Sequence, residues 1–133
     1  MARQTDAGCM KYLLDSNIIV AALLGDNMLL RARMADCDED ELVTSAIVLA
    51  EVAYGSINGK PPSFDRLLRF TDVVPALPFD HAAARAYASL PFKRASYDQL
   101  IAAHALSLDL TVVTHNERHF ASVPELKVEN WMV

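Results

Sequence analysis

Cysteine is scarce in this chain of 133 residues: there are two, Cys9 and Cys37, far apart and without a second Cys or a His at metal-ligand spacing. Neither a zinc site nor a disulfide framework is expected, and a reducing, cytoplasmic setting fits. Long apolar runs are also missing. The longest, Ile18 to Leu24, spans seven residues, well short of the roughly 20 that cross a bilayer, so a soluble protein with no membrane association is expected. The opening MARQTDAGC lacks the apolar core of a signal peptide and reads as a disordered tail over residues 1–9, with Met10 a candidate second start. Positive charge is in deficit: 12 Lys and Arg against 17 Asp and Glu give a net charge of −5 and a pI near 5.2. That balance argues against a nucleic-acid binder driven by electrostatics alone. No internal repeat or low-complexity segment occurs.

What is present is material for one core. Hydrophobic residues make up 53% of the chain and charged residues 22%, which points to a single folded domain over residues 10–133. Lys11 to Leu14 suits a buried strand ending at Asp15, and Ile18 to Leu24 a helix with Ser16 and Asn17 as capping residue types and Gly25 closing it. Met28 to Ala35 reads as a second helix, and Asp36 to Glu41 as a solvated acidic turn. Leu42 to Thr44 is a short strand, after which Ser45 caps a helix predicted to stop at Gly55. Ser63 to Phe70 is amphipathic, Val73 to Leu77 strand-like, and Asp80 caps an Ala-rich helix from His81 to Leu90. Ser96-Tyr97-Asp98-Gln99 has the form of a capping box opening a helix to Leu108. Leu110 to Thr114 and, more weakly, Lys127 to Trp131 complete the strands. Short apolar strands separated by helices predict a parallel sheet covered on both faces, with sites at the strands' carboxyl ends.

Asp15 stands at such an end, as do His115, Asn116 and Glu117 after the fourth strand. Asp15 can cap the following helix or face a crevice. Glu51 is harder to place, because its helical neighbours Ile47, Val48, Tyr54 and Gly55 are almost wholly apolar. It either snorkels to solvent or meets a compensating cation, since an unpaired buried carboxylate is costly. Asp98 suits the positive end of its helix dipole, yet that helix continues Leu100-Ile101-Ala102-Ala103-His104-Ala105, apolar around most of its surface and so central. Convergence of the three acids would call for a multivalent cation, and oxygen ligands without Cys or His favour Mg²⁺ or Mn²⁺. Such a site suits phosphodiester hydrolysis by metal-activated water.

The blocks Tyr12-Leu13-Leu14-Asp15-Ser16-Asn17, Thr44-Ser45 through Glu51-Val52-Ala53-Tyr54-Gly55, Tyr97-Asp98-Gln99-Leu100-Ile101-Ala102-Ala103-His104, Val113-Thr114-His115-Asn116 with Phe120, and Val128-Glu129-Asn130-Trp131 resemble the PIN-domain ribonucleases, specifically the VapC toxins of type II toxin–antitoxin systems. The resemblance implies an α/β fold, a three-layer α/β/α sandwich on a central parallel sheet, and an acidic pocket for Mg²⁺ or Mn²⁺. It places Asp15, Glu51 and Asp98 as catalytic metal ligands, with Ser16 and Asn17 beside them. Asn116 matches a fourth catalytic polar position where many members carry Asp; it brings no charge, which weakens a second metal site and leaves one or two metals open. Lys93, Arg94 and Arg118 are candidates for RNA phosphate contact. Glu117 could stand in for the missing acid but reads as a bystander, His104 reads as a buried or pocket-edge residue and His81 as an exposed one, while His115 and His119 could touch substrate but lack a partner that would make them bases. The resemblance further implies a cognate antitoxin, a homodimer and an RNA substrate.

Two alternatives stand beside this reading. A phosphatase of haloacid dehalogenase type also places Asp after its first strand, but Ser16-Asn17 lacks the second acid of the D-x-D signature. A non-catalytic RNA- or partner-binding module of the same fold would be favoured by loss of any one acid, and all three are present.

Overall fold

The computed structural model describes residues 9–91 and 96–133. In chain order these form β1 (Tyr12–Leu14), α1 (Ser16–Leu24), α2 (Met28–Ala35), β2 (Leu42–Ser45), α3 (Ala46–Ile57), α4 (Phe64–Val73), β3 (Ala76–Leu77), α5 (His81–Ala88), α6 (Tyr97–Ser107), β4 (Thr111–Val113) and β5 (Val128–Glu129), with single 3-10 turns at Glu39–Glu41 and Glu117–His119. The strands make one five-stranded sheet in the order β3-β2-β1-β4-β5, parallel throughout. This is the expected α/β/α arrangement. Leu13 lies opposite Val43 on one side and Val112 on the other, so β1 is central and buried on both faces, as its unbroken apolar character requires. Strand order departs in opposite directions from β1 and β4. The carboxyl ends of these two strands therefore flank the crevice where open parallel sheets bind ligands.

Helix starts follow side-chain chemistry closely, with some shifts from the sequence expectations. The cap of α1 is Asp15, which accepts from Ser16 N, rather than Ser16 or Asn17; Gly25, at φ 73°, closes the helix as expected. Gly55 does not stop α3, which runs on to Ile57 and ends at Asn58; packing carries the helix across the weaker residue. Only half of the capping box at α6 forms. Ser96 Oγ accepts from Gln99 N at 3.2 Å, while Gln99 Oε1 is buried without a partner. The region from Val73 to Leu77 contributes two strand residues, because α4 takes Val73. Helix α5 ends at Ala88, two residues early. The acidic turn is more ordered than a solvated run: Asp38 and Glu41 cap each other, and Glu41 pairs with Lys11 at 3.1 Å.

The core joins Leu13 and Leu14 to Ile18, Val48, Ile101, Val112 and Phe120. His104 is buried among them, with Nδ1 2.8 Å from Ser45 Oγ and its ring edge-on to Phe79. Burial pushes its pKa down, and its place is structural, as expected. At the chain's end Trp131 is buried and meets Tyr12 edge-on at 4.8 Å. Arg33 covers the indole at 4.8 Å, and Glu129 Oε1 accepts from both Trp131 Nε1 (2.8 Å) and Arg33 (3.1 Å). No helix of the described residues is long and apolar enough to cross a membrane.

Candidate active site

Asp15 leaves β1 at the crevice with its side chain only 3% exposed. A carboxylate there needs donors, and the local fold supplies them. Its Oδ1 accepts from Ser16 N at 2.8 Å; its Oδ2 accepts from Thr114 Oγ1 at 2.7 Å and, more distantly, from Asn17 Nδ2 at 3.4 Å. Thr114 follows β4 in the register that pairs Leu14 with Val113, so the two strand ends meet directly. The Thr114 hydroxyl also accepts from Asn116 N at 3.0 Å, and Asn17 Oδ1 accepts from His115 N at 3.0 Å. Burial raises the Asp15 pKa; the Thr114 and Ser16 hydrogen bonds oppose that, the Asp98 charge adds to it and His119 lowers it.

Glu51 projects from the second turn of α3 and is partly buried. Its carboxyl is pushed up to about 7, first by burial, then by the charges of Asp15 and Asp98, with a hydrogen bond to Ser16 acting the other way. Its Oε1 is buried without a hydrogen-bond partner. Asp98, in the first turn of α6, is 34% exposed and has Oδ2 3.2 Å from His119 Nδ1. The three acids thus lie within each other's electrostatic reach, coming from three separate elements. Their donor set is oxygen only, their charges repel, and one oxygen is orphaned, all of which suits a hard divalent cation. As the side chains stand, however, no three His, Cys, Asp or Glu groups among the described residues are clustered closely enough to hold a metal ion.

The other expected residues fall around this centre in different ways. Ser16, Asn17, Glu51 and Asn116 line one groove. Arg118 is exposed on the turn after β4, in a smaller hollow with His115, Asn116 and His119. Glu117 accepts from Asn130 at 3.3 Å and lines the same hollow as Arg118. Lys93 and Arg94 lie outside the described residues. His119 corrects an expectation, since it has a partner in Asp98. Thr114 is a site residue that local sequence does not single out: it stands one position before His115 to Glu117, and strand register alone aligns its hydroxyl with Asp15.

The PIN domain family model matches residues 12–126, and the chain belongs to that family. Among curated relatives, it is 30% identical to the tRNA(fMet)-specific endonuclease VapC of Salmonella typhimurium, over 92% of this chain and 98% of the relative. It is likewise 30% identical to ribonuclease VapC2 of Rickettsia felis, with the same coverage of both. The solved structure of VapBC2 from Rickettsia felis bound to a promoter DNA fragment superposes with a TM-score of 0.81 at 28% identity, covering 92% of this chain and 99% of the other. DNA-bound VapBC from Salmonella typhimurium gives a TM-score of 0.75 at 28% identity, over 92% and 98%.

Proposed function

We propose that this protein is an endoribonuclease, the toxin of a type II toxin–antitoxin system, cutting RNA phosphodiesters to leave a 5′-phosphate and a 3′-hydroxyl. The observation that supports the reading is that Asp15, Glu51 and Asp98, from three separate elements, lie within each other's electrostatic reach, with one Glu51 oxygen buried and unpartnered. Kinship to named VapC ribonucleases over nearly the whole chain supports the substrate class.

Asp15, Asp98 and Glu51 would hold Mg²⁺ or Mn²⁺, which when bound polarises the phosphate and acidifies a water molecule. The chain's own groups do the positioning. Ser16 N and Thr114 fix the two Asp15 oxygens, so that carboxylate is oriented before any ligand arrives. Asn17 ties Asp15 to the turn after β4, and Asn116 offers a neutral amide at the groove's mouth. Arg118, exposed in the neighbouring hollow, would meet an RNA phosphate. A cognate antitoxin, whose counterparts accompany the relatives in the VapBC structures, would restrain the activity. A homodimer in the cytoplasm, folded as one domain over residues 10–133, completes the proposal.

Sequencing RNA ends after brief expression tests it. New 5′-phosphate ends should appear with the parent and vanish, together with growth arrest, for Asp98→Asn. An Asp98→Asn protein as active and toxic as the parent would sink the assignment. Ca²⁺ should support little turnover, because its looser coordination positions reactants poorly; rates equal to those with Mg²⁺ would count against metal-assisted hydrolysis.

A further inference from the structure

The groove that Glu51 and Asn116 line is a trough of about 580 Å³. Val20 and Leu24 form part of its apolar wall, and Tyr54 and Lys60 line it with Glu51. Tyr54 follows Glu51 by three positions on α3, which puts ring and carboxyl on one face about one turn apart. The Tyr54 side chain is 74% exposed and has no aromatic stacking partner among the described residues. Lys60 is exposed, forms no ion pair among the described residues and is the one cation among the groove's described lining, with Asp26 the other charge beyond Glu51. A flat ring and a cation placed along a channel that starts at phosphodiester chemistry match what an unpaired nucleotide needs, a stacking surface and a phosphate partner.

Resting on the ribonuclease reading, we propose that Tyr54 and Lys60 form the subsite for the nucleotide next to the scissile phosphate. Its unstacked base lies on the Tyr54 ring and the adjoining phosphate meets the Lys60 ammonium. A single-stranded segment offers that base without the cost of unpairing and unstacking it, so it is the preferred substrate.

Binding tests this apart from cleavage, using the full chain with Asp98→Asn throughout, Mg²⁺ present, and anisotropy of a labelled single-stranded oligoribonucleotide of mixed sequence. Adding Tyr54→Ala should weaken binding roughly tenfold, while Tyr54→Phe stays near the parent. Lys60→Ala should weaken it less and flatten the log–log salt slope by about 0.7. On an abasic ribose-phosphate strand the Tyr54→Ala loss should vanish. Unchanged RNA binding by Tyr54→Ala, or a loss that persists on the abasic strand, overturns the proposal. So does a Tyr54→Ala protein that loses affinity for the antitoxin alone, which would assign the groove to a peptide. A protein with all acids intact that binds RNA and leaves it uncut loses the ribonuclease reading and keeps the subsite; one that binds no RNA loses both.

Discussion

Two partly buried glutamates in this molecule are treated in opposite ways. Glu129, on the edge strand β5, has its Oε1 shared between the Trp131 indole and the Arg33 guanidinium, and the group it anchors closes the chain's end against Tyr12. Glu51 lies beside two other acids with Oε1 unpartnered and its pKa pushed up to about 7. A carboxylate retained for stability comes with donors of its own. One retained against stability, in repulsive company, marks a place where a ligand is meant to complete the set.

The contrast can be broken most severely at Asp15. Asp15→Asn should abolish RNA cleavage while circular dichroism still reports a folded protein, whereas Glu129→Gln should leave the cleavage rate near the parent's. Next in size is Trp131→Ala, which should cost about 3–5 kcal/mol in denaturant unfolding, because a fully buried indole leaves a cavity under β1. Glu51→Gln should act with the opposite sign. Since folding raises the Glu51 pKa, the folded state takes up the extra proton between the ordinary glutamate range and about 7. Its destabilising effect is therefore absent at acid pH, grows as pH rises through that window and is complete above it. The substitution should stabilise by about 1–2 kcal/mol near pH 8, a figure reduced for the partial solvent access of the group, and by little near pH 4. Cleavage should fall in the same variant, and equal stabilisation at both pH values would contradict the assigned repulsion. The smallest effect belongs to Arg33→Ala, about 1 kcal/mol of stability lost with cleavage retained, as expected for an exposed cation over an indole.

Much of this architecture is legible in the residues. Apolar tripeptides such as Tyr12-Leu13-Leu14 announce buried strands, and Asp80, Ser45 and Ser96 announce helix starts. Ends are less legible. Gly55 carries an intrinsic penalty that burial of Val52 beside it outweighs, and Val73 could join a strand or a helix until α4 packs. At the site, Asp15 and Asp98 declare themselves by position, and Glu51 by its apolar surroundings. Thr114 and His119 do not, because their roles depend on which strands become neighbours and on how one short turn folds back, and neither is written in local composition. Net charge misleads here: the value of −5 includes the acidic turn at Asp36 to Glu41 and the acids of the site itself. The sum conceals a local pocket that a divalent ion would convert into a receptor for phosphate.

The hydrogen bond between Thr114 and Asp15 spans 99 positions of chain. Asp15 is made long before Thr114, and the strand that brings them together, β4, pairs with β1 only after α6 has been made. A growing chain still threaded through the ribosome therefore carries acids without a finished centre. That order of assembly leaves the Asp15 carboxylate without its Thr114 donor until the second of the two strand ends has been made.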